Sequence, residues 1–471
     1  MKCVSVLLLI FAFFQSIVIA QQGGWEKFYN NGGAIRGQDI KPTSDGGYIM
    51  TGFANPTNTL DGQDIMLMKI DGDGNFEWSN NFNPGGSTEY GWSLIETFDQ
   101  EFALVGSASS PLTSSTDGYF ILTDEHGNVK YQWFIGDSQT NFLTDIIQLP
   151  TDSSFVACGE WGDRPCIVRM DKNGDTLFTK IYPEVLGRFN ALEYSPEDQT
   201  ICLAGISVPL QKAGLVAKID FDGNVVWLHE YIGGGFEELY DLTIFDDRIF
   251  TVGRSRALDP NQPAELHIRF IDISTGISEN VLTYGTSNSF SFKSITVGQM
   301  LNLTTIGTKI NTFGISSVSV FVTQTNLDGE IIWDNLFGGN ELASSYGYSI
   351  CNAHDFGYVL RGQAATPDGV VYVYVIKIDE NGSVVSTNSF PFLPEISLYP
   401  NPCTEVLNIQ LGQFESEKRI TVFNSAGQAV YEKTTFDNEI QINEVGFWQS
   451  GVYMVHVEVD RHKVVRKVVV E

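Results

Sequence analysis

The chain has 471 residues and a formal charge of −29, with 57 acidic side chains against 28 lysines and arginines. Such a surface repels phosphate backbones, which excludes nucleic acid as a partner class. Glycine is plentiful (46), aromatics reach 12% and charged residues stay at 18%, the composition of a folded β-protein. Its length calls for one large repetitive domain or two domains.

Residues 1–20, MKCVSVLLLIFAFFQSIVIA, place one lysine before an apolar run and small or β-branched residues before Gln21. This pattern predicts a cleaved signal peptide. Cys3 precedes the apolar run, so the segment lacks a lipobox cysteine. No later stretch offers the roughly eighteen continuous apolar residues of a membrane span. The mature chain is therefore expected to be exported, without a transmembrane segment, and to carry a charge of −30 once Lys2 is lost. Cys158, Cys166, Cys202, Cys351 and Cys403 remain, and an odd number excludes a fully paired framework. Cys158 and Cys166 flank the short loop GEWGDRP, as either a cross-strand disulfide or two buried thiols.

Residues 69–78 read KIDGDGNFEW. Asp71 and Asp73 sit at alternate positions, as in a calcium loop, but Phe76 and Phe82 occupy the sixth and twelfth positions where glycine and a bidentate glutamate belong. The stretch reads better as a tight hairpin turn of the two-residue kind between DIMLMKI and FEWSNNF. Calcium at Asp71 and Asp73 is the lesser alternative, and no other cofactor or metal site is expected.

The turn recurs. Its glycines are Gly74, Gly127, Gly174, Gly223, Gly276, Gly329 and Gly382, spaced by 53, 47, 49, 53, 53 and 53 residues. A period near fifty marks a propeller or solenoid. Each period holds four short strands and no helical periodicity, which is one four-stranded antiparallel blade. Residues 22–390 are thus predicted to form a seven-bladed β-propeller.

Four residues after the turn glycines stand Trp78, Tyr131, Phe178, Trp227, Asn280, Trp333 and Ser386, mostly large aromatics suited to packing between blades. The mature N-terminus, GGWEKFYNNGG, is an unattached copy of the same outer strand. Trp25 to Tyr29 is therefore expected to pair into blade seven and close the ring, with Val384 to Phe390 as the rival. The longer loops fall on one face, where a binding site is expected.

At FPFLPEISLYPNP the repeat stops and prolines cluster, which marks a linker at 391–395. Residues 396–471 read as a small β-sandwich with a hairpin at NSAGQ. LYPNP (Leu398 to Pro402), LNI, VFNSAGQAVY, SGVYMVHV and the terminal lysine-containing strand resemble the type A C-terminal sorting domain of the type IX secretion system of Bacteroidetes. That resemblance implies a secretion address, read by the outer-membrane translocon, with the passenger released or attached at the cell surface. The address would centre on Asn401, Pro402, Gly427, Gln428, Gly451, Tyr453 and Lys467. Cys403 departs from the pattern.

Catalytic signals are sparse. His126, His229, His267, His354, His456 and His462 are scattered, without metal-ligand spacing, and read as isolated surface or strand residues. No nucleophile elbow or phosphate loop occurs. Acids are many, among them Glu237, Glu238 and Asp241, or Asp61 and Asp163 in long loops. The sequence points first to an exported binding or adhesive protein for a glycan or protein ligand. The alternative is a secreted glycoside hydrolase or polysaccharide lyase with acids at the central channel. A quinoprotein propeller is disfavoured, because the tryptophans repeat at hairpin positions.

Overall fold

The computed structural model describes residues 24–30, 35–55, 62–84, 89–110, 115–208, 212–231, 235–257, 264–284, 289–311, 317–338, 342–367, 369–384, 397–411, 417–424, 428–459 and 462–470. The signal peptide, the linker and Gly427 lie outside these residues. The chain divides into two compact units, Met1–Ser386 and Thr387–Glu471.

The first unit is a seven-bladed β-propeller. Blades one to six occupy residues 35–82, 90–135, 141–181, 187–231, 235–284 and 289–337, each a four-stranded antiparallel sheet in chain order. Blade seven takes three strands from 344–378 and its outer strand from Trp25–Tyr29, which runs antiparallel to Val371–Ile378 with Trp25 opposite Lys377 and Tyr29 opposite Val373. A lone parallel bridge, Val318 to Ser344, links blades six and seven. Neighbouring innermost strands touch all the way round, including the seventh, Ser344–Asn352, against the first, Ile35–Pro42.

The repeated turn holds each blade to the next. At Asp71 the backbone N–H donates to the Asn75 carbonyl (2.9 Å), and Gly74 takes φ +74°, the left-handed conformation glycine adopts at no steric cost. The ladder shifts register between Lys69 and Ile70, so the loop is one residue longer than the expected two-residue hairpin and ends in a glycine bulge. The Asp71 carboxylate accepts from the Asp73 and Asn75 N–H groups and the Asn75 side chain, all within 2.9 Å. These bonds hold it below the usual carboxylate range even though burial opposes that shift. Among the described residues no group of three or more His, Cys, Asp or Glu side chains is placed to hold a metal ion.

Each turn also receives the outer strand of the preceding blade, through a hydrogen bond at every turn but that of Gly329, against which Leu282 packs. Asn80 donates to the Gly127 carbonyl (2.8 Å), Trp133 to Asn173 (3.3 Å), Tyr182 to Gly223 (3.1 Å), Tyr231 to Gly276 (2.6 Å) and Asn335 to Gly382 (2.7 Å). At the closing seam Tyr29 donates to Gly74 (2.7 Å) and the Trp25 indole to Gly72 (3.2 Å). The N-terminal strand thus does for blade seven what each outer strand does for its own blade. Of the rival segment, residues 385–390 lie outside the described residues.

All five described cysteines are buried free thiols. Cys158 faces Ile167 and Cys166 faces Gly159 across the ladder, so strand alternation sends the two side chains to opposite faces. The disulfide alternative does not form.

The second unit is a sandwich of a three-stranded sheet (Ser397–Tyr399, Leu407–Gln410, Glu439–Ile442) and a four-stranded one (Lys418–Phe423, Ala429–Thr435, Gly451–Val459, His462–Val470). Cys403, Leu407, Ile420, Val455 and Val468 are among the side chains filling its core, so the departure at Cys403 is a packing residue.

Candidate functional site

The innermost strands share one device. Their segments GQDI, GWSL, LTDI, FNAL, LYDL, FKSI and GYSI each contain a β-bulge at the second residue. A bulged residue is unpaired and its side chain is re-aimed. Gln38, Trp92, Thr144 and Asn190 from blades one to four, and Tyr240, Lys293 and Tyr348 from blades five to seven, all line one cavity of about 630 Å³ in the central channel.

The residue after the bulge stitches the ring in six blades, all but the fourth, where Ala191 stands. Asp39 accepts from Ser349 (2.8 Å) and Ser93 (3.1 Å), Asp145 from the Leu192 N–H (2.9 Å) and Asp241 from the Ile295 N–H (2.9 Å). One position therefore repeats for structure, while its neighbour varies freely and faces the channel.

The mouth lies at the start of the innermost strands, on the side of the loops that join the second and third strands of each blade and of the inter-blade loops. Tyr90, Phe142, Arg188 and Glu238, two residues before their bulges, widen it, with Ser107 and Arg254 from the adjacent strands. The tips of the surrounding loops, at 56–61, 85–88, 111–114, 232–234, 258–263 and 339–341, lie outside the described residues.

Charge is concentrated on one side of this mouth. Glu238 accepts from Lys212 (2.8 Å), from Arg254 through Nε (2.8 Å) and Nη2 (2.7 Å), and from the Tyr240 hydroxyl. Burial works against the Glu238 carboxylate, yet these partners hold it ionised, at about 2. Arg188 donates to Asn190 (2.8 Å), lies over the Phe142 ring and reaches Glu160 only at 4.0 Å. The Lys293 ammonium sits 3.5 Å from the centre of the Tyr240 ring. Burial, helped by Arg254 and Arg188, lowers that ammonium to about 8.

Below the mouth the channel turns acidic. Lys41 pairs with Asp39 at 3.3 Å; burial disfavours its charge, but Asp39, Asp145 and Asp241 more than reverse that and raise it. Burial raises Asp145 to about 6, and burial together with Asp241 raises Glu193 to about 8.

The acids singled out in the sequence diverge. Glu238 faces the mouth and Asp241 holds the ring, whereas Glu237 turns into blade five, where Arg269 clasps it at 2.7 Å through Nη2 and His267 lies at 3.3 Å. His267 is therefore a buried partner of an acid rather than an isolated strand residue. Asp163 sits at the surface beside Arg164, and Asp61 lies outside the described residues.

Of the residues expected to form the secretion address, those described lie toward one end of the four-stranded sheet. Asn401 donates to the Lys467 carbonyl (3.2 Å) and accepts from the Val469 N–H (2.9 Å), pinning the Asn401-Pro402 turn to the last strand. Tyr453 stands opposite Val468, stacks on Trp448 and donates to Gln449 (2.8 Å). Gly451 pairs with Val470, and Phe423 with Met454, so Gln428, bonded to Asn424 (3.0 Å) in the adjoining hairpin, belongs to the same end.

Residues 397–471 match the family described as the secretion system C-terminal sorting domain. The propeller precedes that match. An ulvan lyase of Nonlabens ulvanivorans is 32% identical over 72 residues, which cover 15% of this chain and 13% of that protein. Among solved structures, PorZ of Porphyromonas gingivalis, a surface component of its type IX secretion system, aligns over 94% of this chain and 82% of its own at 11% identity and a TM-score of 0.34. The WD40 domain of Toxoplasma gondii coronin aligns over 76% and 87% at 8% identity and 0.45. A protein of unknown function from Dyadobacter fermentans aligns over 76% and 98% at 9% identity and 0.43. The sorting domain indicates handling by the type IX machinery and export to the cell surface or extracellular space.

Proposed function

We propose that this protein is an exported binding propeller that holds an extracellular glycan or protein ligand in the mouth of its central channel. The observation that carries the reading is the set of seven bulges, which turn one side chain per blade into a shared cavity while the adjacent residue keeps the ring together. The cavity's volume lies within the range of small-ligand sites, and its mix of aromatic faces with a few polar groups is what such sites use. In the sorting domain, the Asn401 turn and the two paired strands that carry Tyr453 and Lys467 form the end read by the export machinery.

A polysaccharide lyase is the second reading, supported by Lys293. An amine lowered to about 8 inside a cavity suits a general base. Glycoside hydrolysis has less support, since it uses a carboxylate pair and Glu238, the one carboxylate among the described lining residues, is held ionised by three partners.

Screening the mature protein on a glycan array, with and without calcium, tests the binding reading. Ligands found there should lose affinity in Trp92→Ala and Tyr348→Ala, and keep it in Phe98→Ala, an exposed residue at the opposite end of its strand. Equal loss in Phe98→Ala, or none in the mouth variants, contradicts it. Release of unsaturated uronate from an acidic polysaccharide supports the lyase.

A further inference from the structure

The mouth is cationic in a chain that is strongly acidic elsewhere. Among the described residues Arg188, Arg254 and Lys293 line it together with a single carboxylate, Glu238. Arg254 and Lys212 already neutralise Glu238, and Arg188 reaches Glu160 only at the 4.0 Å limit. Lys293 has no carboxylate within salt-bridge distance among the described residues; its ammonium rests on the Tyr240 ring. Lys293 is half-buried, Glu238 acts on it only from beyond ion-pair distance, and a ring face replaces lost hydration only in part.

Around these cations stand the faces and amides that recognise a sugar. Tyr90 and Trp92 stack on each other with ring centres 5.7 Å apart, and Phe142 and Tyr348 continue the aromatic wall. Gln38, Thr144 and Asn190 supply uncharged donors and acceptors among these rings. Aromatic faces take the apolar side of a pyranose ring, and amides and hydroxyls take its hydroxyl groups.

We propose that the channel mouth takes an acidic saccharide, a sugar unit bearing a carboxylate or sulfate, with the anionic group on Lys293 between Arg188 and Arg254. The proposal rests on the channel-mouth reading above and adds the ligand class. A nucleic acid would need a cationic track continuing past the mouth, which a chain of formal charge −29 disfavours. One anionic group per sugar asks for no such track: beyond about 8 Å at physiological salt the acidic surface is screened, while the cations at the mouth are in contact with the ligand. A carboxylate or sulfate arriving at Lys293 gives the ammonium the partner it lacks, through a charge-assisted hydrogen bond.

The test uses the mature full-length protein, with titration calorimetry and tryptophan emission, and size-matched oligosaccharides of polygalacturonate, dextran sulfate and neutral dextran. The expected result is binding of the first or second, which also tells carboxylate from sulfate, and none of dextran. Lys293→Gln should weaken that binding by about tenfold or more, the effect of removing one charged hydrogen bond, and Lys293→Arg should restore most of it. Unfolding curves of both variants establish that each is folded, and Lys293→Met serves if Gln is not. Dextran binding as tight as the acidic sugars, with a change in tryptophan emission, overturns the acidic class and leaves the channel-mouth reading standing. Acidic binding unchanged in Lys293→Gln overturns the assignment of Lys293. Failure of all three sugars to bind, or tighter binding of oligo-dT than of either acidic sugar, overturns the proposal.

Discussion

Substituting Trp25 tests ring closure, because the same bond is made inside the ring by a covalently sequential blade. Trp25 is 8% exposed, packs edge-on against Tyr48 and donates to the Gly72 carbonyl; Trp333 makes the corresponding bond to Glu380 at 3.1 Å. Truncating a buried tryptophan to alanine costs about 3–5 kcal/mol, and the lost hydrogen bond is part of that. Trp25 lies beside the start of the chain, where a strand that merely lay on the surface would contribute about 0.5 kcal/mol or less. Trp25→Ala should therefore lower the free energy of unfolding by about the full cost of that truncation, and Trp333→Ala, at a half-buried position, by somewhat less, measured by urea denaturation followed by circular dichroism. Tyr29→Phe, which removes only the bond to Gly74, should cost about 1 kcal/mol. If Trp25→Ala unfolds at the wild-type midpoint while Trp333→Ala does not, the N-terminal strand does not close the ring.

Three further outcomes are expected. Burial raises Glu193, among Asp241, Lys41, Thr243 and the Ile244 N–H, to about 8 from an ordinary value near 4.5. A raised acid binds more protons folded than unfolded, so the wild type loses stability as pH climbs from about 4.5 to 8. Glu193→Gln should thus gain over wild type across that window, by about 1–3 kcal/mol above pH 8 after discounting for channel water; a gap that does not change with pH counts against it. Arg361 is fully buried, its guanidinium nitrogens have no hydrogen-bond partner among the described residues, and burial lowers it to about 9. Val105 and Val252 hold the corresponding ladder position in blades two and five, opposite Ser93 and Asp241 as Arg361 is opposite Ser349. Arg361→Val should leave the midpoint unchanged or raise it, by up to about 4 kcal/mol, and a loss of that size would show that Arg361 has a structural partner. Deleting 397–471 should abolish appearance of the protein outside the cell in fractionated cultures, and a truncated protein that still reaches the medium removes the role given to the sorting domain.

The period was legible because each turn needs a left-handed residue, and glycine supplies it at Gly74 and its six counterparts. The closing strand was legible for a related reason: Trp25 to Tyr29 repeats an outer-strand pattern with no blade of its own. The mouth was not, because its residues share nothing but a position. Aligning GQDI with GWSL, LYDL and FKSI exposes that position: Asp or Ser recurs at the third place to stitch the ring, and the second place changes freely among glutamine, tryptophan, tyrosine and lysine. The adjacent acids Glu237, Glu238 and Asp241 misled in the same region. Alternation separates the first two, and the bulge at Tyr240 shifts the third, so proximity in sequence became divergence in space.

The central claim is that the bulged residues form a ligand site at the channel mouth. Its most direct measurement is the affinity of the mature protein for polygalacturonate and dextran sulfate oligosaccharides, compared with that of Trp92→Ala and Lys293→Gln. Binding of an acidic saccharide that both variants lose is the predicted result. Binding that both variants keep would contradict the account.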